Sequence, residues 1–190
     1  MARKAMNDAQ SPQLPISAVP AVEPPWALEV WRVLKSNNVR HVSYVPDAGH
    51  ARLIELVNAD PDMVCNVLTT EEEGVAIAAG AWLGGMRSVL LMQSSGVGNC
   101  INMLSLANVS RFPLLMLVTM RGEWAEFNPW QVPMSKASEP ALHAMGVTTM
   151  RADTAEDLID IVSCAAALAY EADQQVAVLI SQRLVGKKHW

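Results

Sequence analysis

The side chains able to do chemistry gather in three short segments: Pro46-Asp47-Ala48-Gly49-His50, Thr69-Thr70-Glu71-Glu72-Glu73-Gly74 and Gln93-Ser94-Ser95-Gly96-Val97-Gly98-Asn99. A carboxylate near a histidine can exchange protons, and a run of glutamates can supply one tuned acid. Small polar residues among glycines let a ligand or another chain approach the backbone closely. Helix capping accounts for part of the glutamate run: Thr70 as N-cap with Glu73 three positions on makes a capping box, and acids suit the positive end of a helix. Capping does not demand a third acid, which singles out Glu71 at the strand-to-helix turn. Gly96-Val97-Gly98 is a poor dinucleotide fingerprint, because Ile101 stands where the next glycine belongs and no Gly-Lys-Ser/Thr follows. The same segment does not make a Gly-x-Ser-x-Gly nucleophile elbow, since no glycine precedes either serine at that spacing. His143 lies on an amphipathic helical pattern and reads as a surface or half-buried residue.

All three segments follow a strand-like run and lead into a helical pattern. Strands are expected over 42–45, 63–68, 88–92, 114–120, 148–150 and 176–180. Helices are expected around 26–34 and 53–57, and over 72–83, 99–109, 138–145 and 154–170, with a long loop over 122–133 holding two tryptophans. The strand runs are continuously apolar rather than alternating, as a sheet covered on both faces requires. Six strand–helix units in alternation predict a three-layer, doubly wound α/β fold with a mostly parallel six-stranded sheet. Ligands of such sheets collect at the carboxyl ends of the strands, where all three segments lie. Residues 1–25 carry Ser11, Pro12, Pro15, Ser17, Pro20, Pro24 and Pro25 without apolar periodicity and read as a disordered Pro-rich tail, leaving 26–190 as one domain.

Composition narrows the partners. Of 190 residues, 51% are apolar and 17% charged, against roughly 25% charged in an average domain. That deficit points to a partner covering part of the surface. A net charge of −5, with no basic run longer than Lys187-Lys188, argues against nucleic acid as the main partner. No apolar stretch reaches the roughly 18–20 residues that span a bilayer. The opening Met-Ala-Arg-Lys-Ala-Met-Asn-Asp lacks the apolar core of a secretion signal. Cys65, Cys100 and Cys164 show no metal spacing and read as reduced, mostly buried thiols of a cytoplasmic protein, and no resident metal site is expected on this chain.

Three stretches carry a resemblance. They are Glu71-Glu72-Glu73-Gly74-Val75-Ala76-Ile77-Ala78-Ala79-Gly80-Ala81-Trp82-Leu83, then Leu91-Met92-Gln93-Ser94-Ser95-Gly96-Val97-Gly98-Asn99, then Arg111-Phe112-Pro113-Leu114-Leu115-Met116. Together with Arg121-Gly122-Glu123 and Gln131-Val132-Pro133-Met134, they resemble the pyrimidine-binding domain of thiamine-diphosphate-dependent 2-oxoacid decarboxylases. The sulfopyruvate and phosphonopyruvate branch is the most similar, and the likeness runs from about Trp26 to Val185.

The family places one glutamate nine residues before a glycine, and counting back from Gly80 lands on Glu71. The resemblance implies that Glu71 shares a proton with N1′ of the cofactor's aminopyrimidine. It further implies that Gln93, Ser94, Ser95, Gly96 and Asn99 line the cofactor, and that Asp47, His50 and Arg121 meet an anionic 2-oxoacid. For Arg121 the alternative is an ion pair with Glu123 or Glu126.

Family members hold the diphosphate through Mg²⁺ with a Gly-Asp-Gly motif and a downstream Asn pair. This chain has no Gly-Asp dipeptide, and Asn37-Asn38 stands alone. The resemblance therefore implies a separate beta subunit carrying that motif, a hetero-oligomer, and an active site between two chains. Glu123-Trp124-Ala125-Glu126-Phe127-Asn128-Pro129-Trp130 departs from the family pattern, so carboligase or lyase chemistry, or a non-catalytic ligand-binding subunit, stay open beside decarboxylation of sulfopyruvate.

Overall fold

The apolar runs pair into one all-parallel six-stranded sheet in the order β2-β1-β3-β4-β6-β5 in the computed structural model, which describes residues 25–186. In chain order the elements are α1 (Pro25–Ser36), β1 (Val39–Tyr44), α2 (Ala51–Ala59), β2 (Val64–Val67), α3 (Glu71–Leu83), β3 (Arg87–Gln93) and α4 (Ser94–Cys100). These are followed by α5 (Leu104–Ser110), β4 (Leu114–Thr119), α6 (Gln131–Ala144), β5 (Thr148–Ala152), α7 (Ala155–Ala172), β6 (Gln175–Ile180) and α8 (Gln182–Val185). The central strands β4 and β6 are buried at every position, as continuous apolar sequences demand. Alternate residues of one strand enter different cores. Leu115 and Leu117 meet Trp26 and Leu34 of α1 and the inner face of α7, whereas Leu114, Met116 and Val118 join Val75 of α3, Val97 of α4 and Leu142 of α6. Helices α1, α2 and α7 thus cover one face and α3 to α6 the other.

The connection from β1 to β2 runs through α2 on the first face, and that from β2 to β3 through α3 on the second. Strand order therefore reverses between β1 and β3, and a crevice opens at their carboxyl ends. Among the described residues no helix is long and apolar enough to cross a membrane.

Several local expectations are corrected. The helix expected over 99–109 is two helices, α4 and α5. Strand β3 turns directly into α4, so Gly96 and Gly98 lie within a helix rather than a loop. Helix α6 begins at Gln131, inside the expected 122–133 loop, because Pro133 falls in the first turn, where a backbone N–H has no intrahelical partner to lose. Thr70 is the N-cap of α3, yet its hydroxyl makes no cap bond; Glu73 Oε2 instead accepts the Thr69 N–H at 2.9 Å, one residue earlier than a capping box places it. Only Cys100 is buried: Cys65 is half-buried and Cys164 exposed, all three as free thiols. Pro25 opens α1, suited to the first helical position by its fixed φ. The rest of the expected Pro-rich tail lies outside the described residues.

Candidate active site

Glu71 is the first residue of α3 and is buried although it is an acid at a helix start. Two features of α4 put it there. Asn99 Nδ2 donates to Glu71 Oε2 at 2.7 Å, and a Cβ on Gly96 would stand 2.4 Å from Glu71 Oε1, so only glycine leaves room for the carboxylate. Oε1 has no hydrogen-bond partner among the described residues. One oxygen is therefore fixed and the other available, which is how a carboxyl group is presented to a ligand. Glu72 and Glu73 are exposed. Beneath them, burial pushes the Cys100 thiol up to about 12, and the charges of Glu71 and Glu72 push in the same direction.

Gln93, the last residue of β3, pairs in register with Thr119 of β4. Its side-chain Oε1 is buried without a partner, an acceptor left for a donor that the chain does not itself supply. An unsatisfied buried polar atom costs about 1–3 kcal/mol, so the site gains by receiving that donor. Ser94 starts α4: its Oγ accepts the Arg121 N–H at 3.1 Å, and its carbonyl accepts from Ser138 Oγ at 3.0 Å. Ser95 is half-buried in the same turn.

On the β1 side, Thr119 Oγ1 donates to Asp47 Oδ2 at 2.6 Å. A Cβ on Gly49 would lie 2.9 Å from both Asp47 Oδ2 and Thr119 Cγ2, so the missing side chain lets Asp47 fold back onto β4. His50, three residues on, is fully buried, and burial pushes its pKa down to about 4 against the upward pull of Asp47. The resemblance implies that His50 meets the substrate; in the fold its side chain is closed to solvent, with Nδ1 3.7 Å from Asp47 Oδ2. Thr119 was not singled out, although it is the one polar side chain ending an otherwise apolar run.

Of the two acids expected as partners, Arg121 pairs with Glu126. Its Nε and Nη2 donate to Glu126 Oε2 and Oε1, each at 2.7 Å, in a fork whose side chains are 8% and 4% exposed. The other guanidinium edge, at Nη1, has no hydrogen-bond partner among the described residues. Glu126 also accepts the Gly122 and Asn128 N–H groups and Gln182 Nε2, while Gln182 Oε1 accepts the Glu123 and Trp124 N–H groups. Arg151 clamps Glu123 with two bonds of 2.8 and 2.9 Å. This network fixes the aromatic loop, which leaves Trp124 and Phe127 partly open and Trp130 81% exposed. Glu126 is one of the two acids expected as an ion-pair partner for Arg121; Gln182 was not expected, and no local motif signals it, since it lies 56 residues beyond Glu126.

Arg121 holds the Glu126 carboxyl down at about 2, from an ordinary 4.5. The folded chain therefore binds this proton less readily than the unfolded chain does. The stability Glu126 contributes is complete above the unfolded value and is lost as pH falls from about 4.5 toward 2. Urea midpoints measured across that window are expected to fall less steeply for Glu126→Gln than for the unmodified chain; equal slopes would remove Glu126 from the acid response.

A cavity of about 470 Å³ opens at the ends of β5 and β6, lined by Trp124, Thr154, Arg183 and the Glu123–Arg151–Asp153 cluster. Its arginine Arg151 is already held by Glu123 and Asp153, and none of the residues expected to meet the cofactor or substrate lines it. The candidate residues gather around the β1–β3 crevice instead.

The family profile of the thiamine pyrophosphate enzyme N-terminal TPP binding domain matches residues 29–133. The chain is 32% identical over 154 residues to the sulfopyruvate decarboxylase subunit alpha of Methanocaldococcus jannaschii, covering 80% of this chain and 91% of that protein. It is 36% identical over 124 residues to the phosphonopyruvate decarboxylase of Streptomyces viridochromogenes, covering 65% of this chain and 27% of that longer protein. Among solved structures, a 2-oxoglutarate:ferredoxin oxidoreductase from Magnetococcus marinus superposes with a TM-score of 0.65 at 15% identity, over 84% of this chain and 29% of that one, a likeness of fold. On the match over residues 29–133 and the relative it nearly spans, the chain belongs to the N-terminal TPP-binding domain family of thiamine pyrophosphate enzymes.

Proposed function

We propose that this chain is the pyrimidine-binding subunit of a two-chain, thiamine-diphosphate-dependent decarboxylase of a small anionic 2-oxoacid, with sulfopyruvate as the first candidate. The observation that carries this reading is Glu71, a buried carboxylate with one oxygen tied to Asn99 and the other without a protein partner, in a niche only Gly96 can border. The residues present fit an aminopyrimidine: an acid for a ring nitrogen and, in Gln93 Oε1, a buried unpartnered acceptor for an amino group. Glu71, Gln93, Ser94, Ser95, Gly96 and Asn99 would hold that ring. When bound, the cofactor supplies the electron sink that accepts the pair released as the carbon–carbon bond to the carboxylate breaks. Glu71 holds or gives up a proton at N1′ of the ring. Asp47 would meet the 2-oxoacid, and the Nη1 edge of Arg121 would offer planar donors to its acid group.

Three observations support a partner that anchors the diphosphate and Mg²⁺. The chain has no Gly-Asp dipeptide. It nearly spans an alpha subunit but only 27% of the longer phosphonopyruvate decarboxylase. Helix α3 also turns Ala76, Gly80 and Leu83 outward, and a Cβ on Gly80 would meet nothing within 4 Å, so nothing among the described residues requires glycine there. The free cysteines suit a reducing compartment such as the cytoplasm.

Mixing the chain with its beta subunit, Mg²⁺, thiamine diphosphate and sulfopyruvate is expected to release CO₂ and sulfoacetaldehyde, while the chain alone releases none. Full activity without the partner would overturn the reading. The exposed Trp124 and Phe127 favour one variation, transfer to an aldehyde acceptor, which product analysis with added aldehyde would reveal.

A further inference from the structure

His50 is a titratable group near the crevice that the scheme above leaves idle. It precedes α2, is entirely buried, and has no hydrogen-bond partner at either ring nitrogen. Its Nδ1 lies 3.7 Å from Asp47 Oδ2, longer than a hydrogen bond and close enough to become one with a small movement. Asp47 Oδ2 is the oxygen that already accepts from Thr119, and Oδ1 has no partner among the described residues.

A neutral imidazole carries one N–H and one bare nitrogen. If Nδ1 were bare, two acceptor lone pairs would face each other in a buried place; with the proton on Nδ1, a donor faces the carboxylate. Among the described residues Asp47 is the charged group whose field acts on the ring, and burial keeps the ring neutral at ordinary pH.

We propose that His50 is a positioning residue that keeps its proton on Nδ1, directed at Asp47 Oδ2, and with Thr119 holds that carboxylate so that Oδ1 faces the substrate. Only the last clause rests on the proposed function, through Asp47 meeting the 2-oxoacid. Gly49 contributes by leaving the space in which Asp47, Thr119 and His50 converge. Support from one layer behind fixes the orientation of the carboxylate.

Two measurements test this. In the full chain carrying ¹⁵N-labelled histidine, with the His50 signals assigned by their loss in His50→Asn, the ring is expected to be neutral with Nδ1 protonated from about pH 6 to 8. Asp47→Ala is expected to shift it toward the Nε2–H form. A bare Nδ1 or a charged ring in that range overturns the proposal, and this readout needs neither partner nor turnover, so it fails independently of the decarboxylase reading.

In the reconstituted enzyme, His50→Asn sets an amide nitrogen near the Nδ1 position, whereas His50→Gln sets one near Nε2. The Asn variant is expected to keep kcat within about threefold. The Gln variant is expected to lose about tenfold or more in kcat with little change in KM. Equal kcat values for the two amides would overturn the proposal, since a purely structural histidine would not distinguish them.

Discussion

Glu71→Gln is expected to lower turnover of the reconstituted enzyme about a thousandfold, in the range that a positioned acid–base group contributes. The reason lies in the geometry. Glutamine has the length and shape of glutamate, and its amide oxygen can still accept from Asn99 Nδ2, which now bonds Glu71 Oε2 at 2.7 Å. The amide also fits the niche at Gly96, so α3 and α4 have no cause to move. What disappears is the ability to hold and surrender a proton at the exposed oxygen. Thermal unfolding is therefore expected to stay close to that of the unmodified chain while activity collapses. Glu72→Gln and Glu73→Gln act as controls: both side chains are exposed, and their substitution is expected to leave turnover within about twofold, since surface changes away from such features have small effects. A Glu72 variant as inactive as the Glu71 variant would move the acid to the wrong position in the run.

Gly96→Ala is the second large effect, with stability and activity again expected to part. Within a helix, alanine is favoured over glycine by about 1 kcal/mol, and Gly96 lies inside α4. The added Cβ would stand 2.4 Å from Glu71 Oε1 and 2.5 Å from its Cδ, so the carboxylate must swing away, a cheap motion for a flexible side chain. The fold is expected to hold or gain slightly. Turnover is expected to drop by about a hundredfold, the scale of displacing a catalytic group by about an ångström. Activity near that of the unmodified chain would mean that the carboxylate is not needed where Gly96 lets it sit. Gly98→Ala is the matched control: its Cβ would make only ordinary contact with Met134, at 3.4 Å.

How far the sequence foretold this differs between fold and site. The six strands were legible because burial on both faces leaves a chemical trace, the unbroken apolar runs of 114–120 and 176–180, that no turn chemistry can imitate. Glu71 was legible through its spacing to Gly80 and through the excess of acid over what a cap requires. Helix α4 was not, because glycine signals two different things. Gly96-Val97-Gly98 looks like a flexible turn, yet Gly96 is small to admit a neighbouring carboxylate and remains helical. The start of α6 was hidden for a related reason: proline usually signals the end of a helix, whereas Pro133 stands in the first turn, where it costs no hydrogen bond.

The Arg121–Glu126 pair was readable as an ion-pair alternative, whereas the Gln182 hub lay beyond sequence reasoning. Gln182 joins the loop after β4 to the turn after β6, 56 residues beyond Glu126, through a contact that exists only once the strands are adjacent. His50 shows the same limit in another form. Its place after β1 was readable, but its burial behind Asp47 depended on how the missing side chain of Gly49 let that loop fold onto Thr119.

The account rests on contact between the Glu71 carboxyl group and a cofactor whose phosphates another chain holds. Solvent exchange of the C2 proton of bound thiamine diphosphate, followed in the two-subunit complex without substrate, tests it most directly, because it reports activation of the cofactor whatever 2-oxoacid is used. Exchange is expected to be fast in the unmodified complex and to slow by about a hundredfold or more in Glu71→Gln, in keeping with the loss of an acid–base group. Equal exchange rates in the two complexes would contradict the role given to Glu71.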